Sequence, residues 1–141
     1  MSPERTNYFS IVALGEDFDV DNYVQVSPLR INQVWHRGDA RFDGTPYANS
    51  GISIELGSGT ELDTNEQQSI AADFLRGNNE ALKELGSIRG VESFFLGLQL
   101  TICRNSAGSI MDMRQSLMQL ALAVGVQVTV WACLERESGS P

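Results

Sequence analysis

The stretch YFSIVALGEDFDVDNYVQVSPLRINQVWHRGD, residues 8–39, reads as a strand, an acidic turn, a short helix and a second strand. Phe9, Ile11 and Ala13 alternate with Ser10, Val12 and Leu14, and a segment that is mostly apolar on both sides belongs in the middle of a sheet. Gly15 ends that strand. Asp19 is placed to cap the helix that follows, and Asp21 lies near the positive end of its dipole. Pro28, which has no N–H to donate, stops the helix, and residues 31–36 form the second strand.

Outward from this block, the turn-rich segment RGDARFDGTPYAN, residues 37–49, predicts a long exposed hairpin loop. It leads to a third strand over residues 50–56, with Ile52, Ile54 and Leu56 on one face. After the loop GSGTELD, a capping box of Asp63 with Glu66, or of Thr64 with Gln67, opens a helix. Ile70, Phe74, Leu75, Ala81, Leu82 and Leu85 keep one side of that helix apolar, and Gly86 stops it. Gly77 within the run weakens it by ~1 kcal/mol relative to alanine. Residues 94–103 form the cleanest strand, with Phe94, Leu96, Leu98, Leu100 and Ile102 alternating with Phe95, Gly97, Gln99 and Thr101. A last helix begins near Ser109 and carries Ile110, Met113, Leu117, Leu120, Ala121 and Val124 on one side. Residues 126–134 close the chain as a strand.

This order predicts an α+β fold: a ferredoxin-like sandwich with an extra strand and helix. The expected sheet is mixed or antiparallel with about five strands, and three helices lie mainly on one face. Residues 7–135 form a single domain and residues 136–141 a flexible C-terminal tail. The strands over residues 94–103 and 126–134 are expected to be neighbours, with Phe95, Gln99 and Trp131 on the face away from the helices.

Ten basic against eighteen acidic side chains among 141 residues leave a net charge of −8. That balance repels phosphate backbones and anionic lipid heads, so nucleic acid and membrane are set aside and a basic protein surface is the partner it favours. Cys103 and Cys133 lie in apolar strand-like runs, away from the spacing of a metal site or redox pair, and read as free buried thiols. With no export signal and no apolar run long enough to span a bilayer, a cytoplasmic location is expected.

The strand YFSIVALGE, the acidic GEDFDVDNY and the strand INQVWHRGD leading to Gly38 and Asp39 together resemble a bacterial family, domain of unknown function number four-two-seven-nine. The order of later elements agrees over roughly residues 8–134. Ile31-Asn32 stands where members tend to have Pro-Thr, and Ile52 where a tryptophan is frequent. The resemblance implies a small α+β fold and no activity.

Chemistry-bearing residues are sparse. Asp17, Asp19 and Asp21 match the first oxygen ligands of a calcium loop, but the sixth position is Asn22 instead of glycine and the twelfth is Pro28 instead of glutamate. Helix capping accounts for the same acids. His36 is the only histidine, so any Ser-His-Asp or Cys-His arrangement must run through this residue, and Ser87 is off register for a nucleophile elbow. Arg37-Gly38-Asp39 reads as an ordinary turn, and Gly57-Ser58-Gly59-Thr60 lacks the lysine of a phosphate loop. No cofactor signature is present.

Three readings follow. The first is a non-enzymatic, acidic binding protein, immunity- or antitoxin-like, that masks a basic partner through Asp17, Asp19 and Asp21 or through the aromatic sheet face of Phe95, Gln99 and Trp131. The second is a small enzyme or ligand-binding domain with a cleft near Trp35, His36, Arg37 and Asp39. The third is a structural homodimer joined through its open sheet faces.

Overall fold

The computed structural model describes residues 8–41, 43–56, 64–102 and 115–134. Cys103, the Gly57-Ser58-Gly59-Thr60 loop, Asp63, the helix start near Ser109 and the tail lie outside these residues, and so do the side chains of Thr64, Gln99, Trp131 and Cys133. In chain order the elements are β1 (Tyr8–Gly15), α1 (Val20–Val26), β2 (Gln33–Trp35), β3 (Ser50–Leu56), α2 (Thr64–Gly77), α3 (Asn79–Gly86), β4 (Ser93–Ile102), α4 (Gln115–Ala123) and β5 (Gln127–Leu134).

The five strands form one mixed sheet in the order β2-β3-β1-β4-β5. β1 runs antiparallel to β3 and β4, and β2 antiparallel to β3. The first four strands are therefore two interleaved βαβ units, the ferredoxin-like pattern. α4 then crosses back to lay β5 parallel to β4 on the outer edge, which makes these two strands neighbours as their alternation predicts.

Side-chain alternation decides which face is covered. Phe9, Ile11, Ala13, Ile52, Ile54, Leu56, Phe94, Leu96 and Leu98 point to one side and form a single core with Val20, Tyr23, Ala71, Leu75, Leu82, Leu85, Leu117 and Ala121 of the helices. All four helices thus pack on one face of the sheet. Register sets the contacts: Ile11 stands opposite Ile54 on one side and Leu96 on the other, and all three are at most 3% exposed. Burying each such side chain contributes roughly 1.5–3 kcal/mol.

Among the described residues there are four helices, one more than the sequence pattern predicts. The run from α2 to α3 breaks at Asn78, which leaves helical geometry at φ −125° and ψ 27°. Its backbone N–H and its side-chain amide both donate to the Phe74 carbonyl, each at 3.0 Å, while its own carbonyl accepts the Leu82 N–H that begins α3. The asparagine amide offers the backbone a partner other than the helix ladder, next to a glycine that already favours the break. β2 is also shorter than expected, three residues at an exposed edge.

Candidate functional site

The sheet register collects three loops at one end. Gly15 pairs with Ser50, Leu14 with Ser93 and Trp35 with Gly51, so the β1–α1, β2–β3 and α3–β4 connections emerge side by side. Two glycines let the first and third approach closely. A side chain on Gly15 would fall 1.7 Å from the Gly90 carbonyl oxygen, and one on Gly90, at φ +101°, would meet the Asp17 carbonyl at 2.5 Å. The Glu92 N–H donates to the Leu14 carbonyl at 2.8 Å, and the Glu92 carboxylate accepts the Glu16 N–H at 3.0 Å.

The acids on these loops have distinct positions. Asp19 caps α1 by accepting the Asn22 N–H at 3.1 Å, and Asp21 follows in the first turn of that helix. From there Asp21 meets His36: its Oδ1 lies 2.8 Å from the imidazole Nε2. Asp39 approaches from the other side, its Oδ2 accepting the His36 backbone N–H at 3.0 Å and standing 3.4 Å from Nδ1. That geometry comes from a turn over residues 36–39, closed by the Asp39 N–H donating to the His36 carbonyl at 2.9 Å. Gly38 supplies its φ of +92°. Arg37 donates its backbone N–H to Ser50 Oγ at 2.9 Å and sets its guanidinium 3.6 Å from Glu16. Further out, Asp43 accepts both the N–H and the hydroxyl of Thr45, and these bonds lower its pKa.

The His36 pKa is raised above its ordinary 6.5, first by the hydrogen bond to Asp21; desolvation opposes this, and the Asp21 charge with the hydrogen bond and charge of Asp39 adds to it. Its side chain is 47% exposed and that of Asp21 74%. Ion pairs this exposed add little to stability; they orient the loops. The three loops and the first turn of α1 carry Glu16, Asp17, Asp19, Asp21, Asp39, Asp43 and Glu92, all exposed, against Arg37, Arg41, Arg89 and His36. The outcome is a solvent-facing acidic surface. The imidazole can hold a proton there, and among the described residues no hydroxyl or thiol is bonded to it.

The sequence-predicted residues divide between two places. Asp17, Asp19, Asp21, His36, Arg37 and Asp39 come together at the loop end. Trp35 does not join them, because successive strand residues face opposite ways. Its indole lies on the helix-free face over Gly51, where a side chain would stand only 2.3 Å from Cζ2, and stacks on Tyr47 with ring centroids 5.6 Å apart. The Arg41 guanidinium also lies over the Tyr47 ring, 5.5 Å from its centroid. Phe95 is on the same helix-free face, half-buried and in register with Val12 and Gln127, and Gln99 pairs with Trp131 four residues further along the strands.

Glu16 and Glu92 complete the loop end, and sequence reasoning gave Glu92 no part in it. Their contact spans 76 residues and carries no local signal. Among the described residues no group of three or more His, Cys, Asp or Glu side chains is placed to hold a metal ion, and no helix is long and apolar enough to cross a membrane. No family model, no curated protein and no solved structure matches this chain.

Proposed function

We propose that the chain is a non-enzymatic protein-binding domain whose acidic loop end covers a basic surface of a partner protein, as an immunity or antitoxin protein would mask a cationic toxin. The observation that carries this reading is the convergence of three loops into one exposed surface where carboxylates outnumber cations. The ion pairs of His36 and Arg37 hold that surface in place before any partner arrives, so less ordering is lost on binding. Exposed charges act through long-range steering, which speeds encounter. A cytoplasmic location and membership of the family that the N-terminal block resembles belong to the same proposal, and that family supplies no activity.

The test is the triple variant Asp17→Asn, Asp19→Asn, Asp21→Asn. Asparagine caps a helix as well as aspartate does, so α1 is retained. Association with the partner recovered by pull-down, followed by stopped flow, is expected to slow by roughly 10-fold or more at low ionic strength and to lose most of its salt dependence. An unchanged association rate would sink the proposal.

A second reading is favoured by the 2.8 Å Asp21–His36 contact, which fixes the imidazole as an orienting carboxylate fixes a general base. His36→Ala separates the two. Under the masking reading it leaves partner affinity nearly intact together with the biological effect; loss of the effect at normal affinity would move the chemistry to His36.

A further inference from the structure

On the helix side of the loop end, α1, Ser27, Pro28 and the end of α3 surround a cavity of about 370 Å³. That volume suits a ligand of amino-acid size. It does not rest on the masking reading, although Asp19 and Arg89 border both surfaces.

Tyr23 lines this cavity and is only 4% exposed, and its hydroxyl is fully shielded with no hydrogen-bond partner. The Ser27 hydroxyl is close enough to act on the phenol, but its short hydrogen bonds go to Leu29: it accepts the Leu29 N–H at 2.9 Å and donates to the Leu29 carbonyl at 3.3 Å. Buried hydroxyls without a partner are uncommon in folded proteins, and one beside a cavity points to an acceptor supplied from outside the chain. Burial raises the phenol pKa, the neighbouring Ser27 hydroxyl offsets part of that rise and Glu84 adds to it, so the group stays a neutral O–H donor.

Three charged residues line the cavity: Asp19, whose carboxylate is engaged as the cap of α1, and two more at the rim. Glu84 comes from the last turn of α3 and Arg89 from the turn that follows; both are exposed, and among the described residues neither makes an ion pair. Val26, Pro28 and Ile88 give the cavity an apolar wall, and Val26 is 67% exposed although hydrophobic. A simple anion would be repelled by Asp19 and Glu84, and a simple cation by Arg89. A molecule carrying both charges with an apolar body satisfies all of them.

We propose that this cavity binds a small zwitterion, an α-amino acid with an apolar side chain. Its carboxylate meets Arg89 and the Tyr23 hydroxyl, its ammonium meets Glu84, and its side chain covers Val26, Pro28 and Ile88.

The experiment is an amide NMR titration of the full chain with L-phenylalanine and L-leucine. Phenethylamine, which lacks the carboxylate, and 3-phenylpropionate, which lacks the ammonium, serve as matched probes. Saturable shifts at Tyr23, Ile88 and Arg89 are expected with an amino acid, and at least ~10-fold weaker binding with either truncated probe. Arg89→Gln should abolish the advantage of phenylalanine over phenethylamine, and Glu84→Gln its advantage over phenylpropionate. Tyr23→Phe should raise the melting temperature of the unliganded protein, since it deletes an unpaired hydroxyl, while weakening amino-acid binding several-fold. No saturable shift with either amino acid, or phenethylamine binding as tightly as phenylalanine, overturns the proposal; so does a stabilised Tyr23→Phe that binds phenylalanine as well as the parent.

Discussion

Ile11 on the helix-covered face meets Ile54 and Leu96 across the sheet and is fully buried, whereas His36 at the loop end meets Asp21 and Asp39 and stays about half exposed. Both are held by neighbours from distant parts of the chain, but water is absent from the first contact and present at the second. Removal of apolar area from water makes the first region the source of stability. Screening by water makes the second a source of position and charge, free to act on something else. The division explains how one small sheet can be rigid at its centre while presenting a charged end that costs the fold little.

The comparison breaks most readily at the core. Leu96→Ala removes a fully buried side chain from the middle of the sheet and is expected to lower unfolding free energy by about 2–5 kcal/mol, measured by urea denaturation. A loss as small as that of a surface change would mean that the helix layer does not seal this face.

Next in size is Gly90→Ala. A methyl there meets the Asp17 carbonyl at 2.5 Å in addition to the strained positive φ, whereas at Gly38, also at positive φ, a methyl meets nothing within 4 Å. Gly38→Ala should cost about 1–2 kcal/mol from backbone conformation alone, and Gly90→Ala clearly more. Equal costs would show that the β1–α1 and α3–β4 loops are not locked together, and the acidic surface would then lack its support.

The smallest effect concerns pH. Because the His36 pKa is raised on folding, its tether between α1 and the β2–β3 turn contributes fully below the ordinary histidine pKa of 6.5 and is lost as pH rises through the folded value. Titration of the His36 ring by NMR should give a pKa above 6.5 in the parent and one nearer the ordinary value in Asp21→Asn. A parent value at or below the ordinary one would mean that Asp21 and Asp39 do not hold the ring in solution. The same titration makes the surface more negative at higher pH, which should favour a basic partner there.

Much of this molecule follows from local patterns. Strand alternation at Phe9, Ile11 and Ala13, at Ile52, Ile54 and Leu56, and at Phe94, Leu96 and Leu98 identifies the buried face, since the period of two belongs to the extended backbone itself. Asp19 is legible as a cap for a similar reason: a cap acts within three residues. The break at Asn78 is also a local event, signalled by an asparagine following Gly77, but the apolar spacing of Ala81, Leu82 and Leu85 continues across it, so periodicity alone joins α2 to α3. The assembly of the loop end is different in kind. Asp21 reaches His36 across 15 residues and Glu92 reaches Glu16 across 76, and both contacts exist because the strand order β2-β3-β1-β4 brings their loops to one end. Trp35 and His36 are adjacent in sequence, yet Trp35 is placed over Gly51 by its pairing in β2 while His36, just past the strand end, reaches Asp21 of α1. Tyr23 reads as an ordinary core aromatic until α3 and its following turn close around it, leaving its hydroxyl unpaired. Residue spacing determines which face of an element is apolar; which charges and hydroxyls then meet depends on strand order and loop closure, because these interactions join groups that only tertiary structure makes neighbours.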